Sequence, residues 1–181
     1  MYKDIFSEEV DCSKISKNQV KARIIDKFGE TKWTECQGQL YSKYLQFAKP
    51  FDGAISTIQD LQEKGFSINI VSHKTKFPYL GEKINLIDKS KEWIVKNLVD
   101  SKEQSILNEK QIIFTKSIED KISAILDLKA LVFIDDLEHV LNQLPDRIQK
   151  IWFNSESESK SLIACRDWAE IRNKIWLMNL I

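Results

Sequence analysis

Two adjacent carboxylates, Asp135 and Asp136, follow directly after the apolar run at residues 130–134. Two acids at the end of a buried strand repel each other unless a cation lies near them. A hard divalent ion such as Mg²⁺ takes carboxylate oxygens and completes its octahedron with water and substrate phosphate. The pair therefore predicts a magnesium site. The alternative is that one aspartate caps a short helix at Leu137 while the other is solvated.

A second polar group follows another apolar run, where Val71 is succeeded by Ser72, His73 and Lys74. A serine hydroxyl and the backbone N–H groups after it can bind a phosphate oxygen, and the lysine can add positive charge. His73 and Lys74 are accordingly candidates for substrate contacts. The alternative is an ordinary helix N-cap or a turn closed by the hydroxyl, so the residue types alone leave both interpretations open.

A third candidate is Lys121, which falls among apolar residues on one face of the helix predicted at residues 118–128. A lysine in that stripe either extends its ammonium past the edge of the core or points at an anion near the ends of the strands. The first arrangement is the commoner one for such a lysine, and the position of Lys121 after one strand and before the strand that ends in the Asp135–Asp136 pair adds weight to the second, so both interpretations stay open.

The elements that must position these residues alternate between strands and helices after Pro50. Strands are predicted at residues 66–71, 111–114, 130–134 and 150–153, and helices at 54–65, 93–98, 118–128 and 137–144. This alternation predicts an α/β fold with a mainly parallel sheet covered on both faces. Ligands of such sheets lie at the carboxyl ends of the strands, where all three candidate groups occur. Before Pro50, the apolar spacing from Ser16 to Phe47 predicts a helical hairpin that turns at Gly29.

Composition narrows the class of protein. The 181 residues carry 27 basic and 27 acidic side chains, so net charge provides no reason to expect nucleic acid or an anionic membrane as a partner. No apolar run approaches the length of a membrane span, and the N-terminus does not resemble a signal peptide. The three cysteines are far apart, which predicts reduced thiols and a cytoplasmic location. Oligomeric state cannot be predicted from these features.

The order of the candidate groups resembles the haloacid dehalogenase superfamily of phosphohydrolases over roughly residues 50–153. Ser72 is similar to the phosphate-binding residue of the family's second motif, and Lys121 to the lysine of its third. Asp135 and Asp136 resemble the acidic fourth motif, which completes the family's Mg²⁺ site. No single motif is specific, whereas the ordered set is.

The resemblance also implies an architecture. We expect a Rossmann-like three-layer sandwich at residues 50–181 and a small helical cap at residues 1–49, since capped members carry a helical insert at this place. The residues Phe51–Ala54 resemble the opening of the family's helix before the second motif. The implied activity is Mg²⁺-dependent hydrolysis of a phosphate monoester, with a small phosphorylated molecule as the substrate.

The chain departs from the family in its first motif, an apolar strand that ends in Asp-x-Asp and supplies the aspartate nucleophile. No aspartate of the chain stands in such a context, and Asp4 and Asp11 are the only ones before the hairpin. We expect that this segment, lost or omitted, lies upstream of Met1, and that the chain is inactive without it. The missing strand would be central, so an open slot with unpaired backbone groups is expected unless a terminal segment fills it. The alternative functions are a non-catalytic domain that binds a phosphorylated ligand or a partner, and a plain scaffold.

Overall fold

The computed structural model describes residues 17–153 and 162–178. The chain divides into two compact units, one formed by Met1–Ala48 with Thr75–Trp93 and the other by Lys49–Lys74 with Ile94–Ile181. In the described part, no helix has the length and apolar character needed to cross a membrane. The regular elements, in chain order, are α1 (Lys17–Leu40), α2 (Ala54–Glu63), β1 (Ile70–His73), α3 (Leu86–Asn97), β2 (Ile112–Thr115), α4 (Ile118–Asp127), β3 (Val132–Asp135), α5 (Glu138–Leu141), β4 (Gln149–Phe153), β5 (Ile163–Cys165) and α6 (Trp168–Leu177).

Helix α1 of the first unit is interrupted at Gly29, whose φ of 83° and ψ of 169° are not helical. Glycine accepts a positive φ without the steric cost that a Cβ would add. The segments on either side pack against each other, because Ile24 from the first and Trp33 and Cys36 from the second form one buried cluster. The predicted turn at Gly29 is therefore confirmed. The second segment was expected to continue to Phe47, but it ends at Leu40 and is followed by a separate 3₁₀ turn.

The second unit is a mixed α/β structure with parallel strands, as the alternating pattern predicts. Strand β1 pairs with β2 in a two-stranded sheet, and β3, β4 and β5 form a three-stranded sheet in that order. Every pairing of these strands is parallel. Strand β5 has no counterpart in the sequence prediction, because its three residues are too few to produce a recognisable apolar run.

Apolar clusters cover both faces of the three-stranded sheet. Successive side chains of a strand point to opposite faces. In β4, Trp152 accordingly packs into a cluster with Ile125 of α4 and Leu141 of α5. Its neighbour Ile151 packs into a second cluster with Ile171 of α6. Burial on both faces explains why the strands read as continuous apolar runs rather than as alternating patterns.

The strand boundaries differ from the prediction in a way that concerns the candidate residues. Strand β1 was expected to end at Val71, but it includes Ser72 and His73. Strand β3 likewise includes Asp135, which was expected to follow it. Pairing with a neighbouring strand extends each element beyond its apolar run, and this pairing is not visible in local sequence. The C-terminal apolar stretch forms the helix α6 up to Leu177, so this part of the tail does not fill a strand position.

Candidate functional site

Helix α4 carries the lysine at the centre of the candidate site. The helix begins after Ser117, whose hydroxyl accepts a hydrogen bond from the backbone N–H of Asp120 at 3.1 Å. Glu119 and Asp120 lie in the first turn, where negative charge is stabilised by the helix dipole. The cap thus sets where the helix starts. It places Lys121 on the same face as Ile125, which is fully buried in the core.

The Lys121 side chain is buried and forms an ion pair. Only 7% of Lys121 and 9% of Asp135 is exposed, and the lysine Nζ lies 2.5 Å from the Asp135 Oδ2. The ammonium therefore points at an anion at the end of a strand, and that anion is the carboxylate of Asp135 in the chain itself. The charge of a buried lysine and the charge of a buried aspartate each need an opposite charge nearby. Lys121 and Asp135 supply it to one another.

The second carboxylate oxygen of Asp135 is also engaged. Its Oδ1 accepts a hydrogen bond from the backbone N–H of Leu137 at 2.9 Å, which closes the turn between β3 and α5. The hydrogen bond reaches only the residue before α5, which has no side-chain cap, so Asp135 closes a turn and does not cap the helix as the alternative interpretation expected of one aspartate. The ammonium of Lys121 also lies 5.5 Å from the centre of the Phe133 ring, a favourable arrangement for a cation.

Asp136, the residue after the buried pair's aspartate, lies at the surface. The residue is exposed, and its carboxylate has no hydrogen-bond or ion-pair partner among residues 17–153 and 162–178. Its backbone carbonyl accepts a hydrogen bond from the indole N–H of Trp152 at 3.1 Å, which holds the end of β3 against β4. The adjacent carboxylates thus have opposite environments, one compensated inside the protein and one available to a ligand in solvent.

Strand β1 positions the other candidate residues. Ser72 is half-buried, and its hydroxyl has no hydrogen-bond partner in the described part of the chain. The His73 ring is exposed, and its Nε2 lies 3.1 Å from the carbonyl oxygen of Lys116. Burial lowers the pKa of the Lys74 ammonium, and the backbone N–H of Lys74 donates to the carbonyl of Thr115 at 3.1 Å. A phosphate near Lys74 would supply negative charge, which favours the charged ammonium and so counteracts the lowering of its pKa.

The structure thus brings together two of the six candidate residues in direct contact, Lys121 and Asp135. Ser72 and His73 end one strand and Asp135 ends another, as expected of groups at the carboxyl ends of strands. Sequence reasoning missed the contact of Trp152 with the Asp136 carbonyl. The indole could have been suspected from its place in a buried strand, because a buried indole N–H needs an acceptor.

Magnesium can be tested against these donors. In the described part, no group of three or more histidine, cysteine, aspartate or glutamate side chains is placed to hold a metal ion. Mg²⁺ usually keeps several waters and takes only one or two carboxylates, with phosphate oxygens as further ligands. Asp136 could supply one such carboxylate, whereas both oxygens of Asp135 are already engaged by Lys121 and by the Leu137 N–H. Among the described candidate residues, Asp136 is therefore the carboxylate whose chemistry fits one position in the ligand shell of a magnesium ion.

Comparisons of the chain with protein-family models, with curated proteins and with solved structures found no match in any of the three.

Proposed function

We propose that this chain is the phosphate-binding and magnesium-binding part of a haloacid dehalogenase-like phosphohydrolase, and that in this form it binds a small phosphorylated molecule without hydrolysing it. The observation that carries the proposal is the buried Lys121–Asp135 ion pair at the carboxyl end of β3. Lys121 brings a positive charge to the end of β3, and the exposed Asp136 follows that strand directly. A cation and a carboxylate placed in this way suit a phosphate that binds together with a metal ion.

Each group would have a distinct task. Ser72, whose hydroxyl is not otherwise engaged in the described part, would donate to a phosphoryl oxygen. Lys121 would place a fixed positive charge in surroundings of low dielectric constant, where charge interactions are strong. Asp136 would be the protein ligand of Mg²⁺, which neutralises phosphate charge, while Asp135 stays paired with Lys121. The helical segments of the first unit would serve as the cap, and the second unit as a Rossmann-like three-layer core.

Hydrolysis in this family proceeds through an aspartyl phosphate, and covalent catalysis needs a nucleophile within reach of phosphorus. The chain has no Asp-x-Asp sequence after an apolar run. Asp135 cannot replace that nucleophile, because both of its oxygens are engaged by Lys121 and by the Leu137 N–H. We therefore propose binding without turnover.

Binding is tested by isothermal titration of the full chain with Mg²⁺, first alone and then with inorganic phosphate. We expect phosphate to bind only in the presence of Mg²⁺. Replacing Asp136→Asn should weaken Mg²⁺ binding roughly tenfold or more, since an interaction with a charged group contributes about 1.5–3 kcal/mol. The matched control is Asp127→Asn, an exposed aspartate at the end of α4, which should bind as the unaltered chain does.

The serine is tested in the same way. Ser72→Ala should weaken phosphate binding roughly tenfold or more, since one hydrogen bond to a charged group contributes about 1.5–3 kcal/mol, and it should leave Mg²⁺ binding unchanged. Ser123→Ala, at an exposed position on α4, is its control. If neither ion binds the unaltered chain, the proposed function is wrong and the Lys121–Asp135 pair is a structural element.

Turnover is measured as release of p-nitrophenol from p-nitrophenyl phosphate in the presence of Mg²⁺. We expect no release above the rate of a sample without protein. Release that is present in the unaltered chain and abolished by Asp135→Ala would show that this chain has its own route to hydrolysis, which contradicts the proposal of binding alone.

A further inference from the structure

Three aromatic side chains of the second unit lie together at the carboxyl end of the three-stranded sheet. Phe153 is the last residue of β4, Trp168 is the first residue of α6, and Phe51 precedes α2. The rings of Phe51 and Phe153 meet edge to face, with their centres 5.1 Å apart and their planes at 73°. The ring centres of Phe153 and Trp168 are 6.4 Å apart. Both distances fall in the range in which aromatic rings attract each other. We call these three residues the aromatic cluster.

The backbone before α2 fixes the place of Phe51 in this cluster. The Phe51 carbonyl oxygen accepts a hydrogen bond from the Ala54 N–H at 3.0 Å, which closes a tight turn. Gly53 lies within the turn at a φ of 78°, which favours glycine, and a Cβ there would contact the side chain of Trp168 at 3.5 Å. The buried Thr57 connects α2 to the same place, since its hydroxyl donates to the Trp168 carbonyl oxygen at 3.4 Å. The turn therefore packs closely on the start of α6.

The contacts within the aromatic cluster leave one ring largely uncovered. Phe153 and Trp168 are partly buried and pack against the apolar cluster that contains Ile171. Phe51 touches them but is 66% exposed. Exposed apolar area is unfavourable in water, and aromatic rings gain further stabilisation when they stack or meet edge to face. A ring held at a fixed place with most of its surface in solvent is therefore suited to contact a second ring.

The aromatic cluster adjoins the carboxylate that we propose as a ligand of Mg²⁺. Strands β3 and β4 are parallel, and their last pair is Asp135 with Trp152. The next residues along the two segments are Asp136 and Phe153, and neighbouring strands lie about 5 Å apart. The hydrogen bond from the Trp152 indole to the Asp136 carbonyl holds the two ends together. A phosphate bound near Asp136 therefore places the rest of its molecule within reach of the cluster.

We infer that the small phosphorylated molecule bound by this chain is a phosphate monoester of a planar aromatic group, and that Phe51 contacts that group ring to ring. The inference rests on the proposed function and names the chemical class of its ligand. Aromatic rings also attract cations, but cations are bound best where several ring faces surround them, and tryptophan is a better host than phenylalanine. Here the largely exposed ring is that of Phe51 alone among the three, which favours a flat partner.

The ligand class is tested by isothermal titration of the full chain in the presence of Mg²⁺ with phenyl phosphate and cyclohexyl phosphate. The two compounds carry rings of similar size, and only the phenyl ring is flat and aromatic. We expect phenyl phosphate to bind about twofold to tenfold more tightly, the range that a contact between aromatic rings contributes beyond the area that it buries. Equal binding of the two compounds would overturn the inference. Tighter binding of phosphocholine than of phenyl phosphate would assign the rings to a cation and would overturn it as well.

A substitution of the exposed ring locates the contact. Phe51→Leu keeps an apolar side chain and should reduce the ratio of the phenyl to the cyclohexyl affinity to about one, whereas Phe51→Tyr keeps the ring and should keep the ratio. The matched control is Trp176→Leu, a 46% exposed aromatic residue that lies eight residues after Trp168 on α6, about 12 Å along the helix. It should keep the ratio of the unaltered chain. A ratio that survives in Phe51→Leu would contradict the role of this ring.

The same titrations separate a failure of this inference from a failure of the proposed function. If inorganic phosphate binds with Mg²⁺ and the phenyl group adds nothing to its affinity, the inference is wrong and the proposed function stands. If none of the phosphate compounds binds, the proposed function is wrong and the inference is overturned with it.

Discussion

Replacement of the core lysine, Lys121→Met, is expected to destabilise the second unit by about 3 kcal/mol. Methionine has a similar length and fills the same apolar stripe, so little packing is lost. The change leaves the Asp135 carboxylate 9% exposed and without its cation. Removal of one partner from a buried ion pair costs about 3–5 kcal/mol. The hydrogen bond from the Leu137 N–H remains and partly compensates the charge, which places the expected loss near the lower end of that range.

The assay is urea unfolding followed by circular dichroism and tryptophan fluorescence, with the free energy of unfolding taken from a linear extrapolation. The double replacement Lys121→Met with Asp135→Asn removes the charge and retains an acceptor for the Leu137 N–H. We expect it to recover most of the stability, to within about 1 kcal/mol of the unaltered chain. This recovery amounts to about 2 kcal/mol relative to Lys121→Met alone, and the single replacement Asp135→Asn completes the cycle from which the coupling energy is taken.

The matched control is Lys116→Met, an exposed lysine just before α4, which should change the free energy of unfolding by less than about 0.5 kcal/mol. The reasoning would be refuted if Lys121→Met were neutral or stabilising, because the carboxylate would then need no cation. That result would favour a plain scaffold, in which the ion pair could be exchanged for apolar packing without loss.

Three further changes test the local structure. Gly38→Ala should destabilise the first unit by about 1–3 kcal/mol, which thermal unfolding measures. Alanine is the better helix former, but its Cβ would lie 2.9 Å from a backbone carbonyl oxygen and from a proline ring. Ser117→Ala should cost about 1 kcal/mol by removing the cap of α4, and a Ser117→Asp control should retain it. In a chain with Cys12→Ser, the thiols of Cys36 and Cys165 should react with Ellman's reagent at pH 8 only after unfolding, because burial raises the pKa of both. The pKa of each buried thiol in the folded chain lies above its unfolded value of about 8.5. The free energy of unfolding should therefore be at its full value below pH 8.5 and fall as the pH rises above it. A free energy of unfolding that rises with pH in this range would contradict the prediction.

Much of the fold of the second unit can be predicted from the sequence, because the signals are local. The apolar run at residues 130–134 and the polar residues after it mark a strand and its carboxyl end without any tertiary information. The helix over Ile118–Asp127 is similarly indicated by its apolar face and by the Ser117 cap. Both features depend on residues a few positions apart, for which spacing along the chain determines proximity in space.

Prediction is less successful where an element depends on its partner. Strand β5 has only three residues and exists through its pairing with β4, so its sequence does not distinguish it from a loop. Ser72 and His73 were expected beyond the end of a strand, yet pairing with Phe114 and Thr115 includes them in β1. In each case, hydrogen bonds to a distant segment determine the boundary.

The candidate site divides in the same way. Sequence alone determines which groups are present: a carboxylate pair after a buried strand, a lysine within an apolar stripe, and a hydroxyl after another apolar run. Only the tertiary structure decides that the lysine and the first carboxylate neutralise each other, that Asp136 stays exposed, and that Phe51 lies beside Phe153. The physical reason is that the compensation of buried charges and the contacts of aromatic rings depend on which segments meet in space, and the spacing of residues along the chain does not specify this.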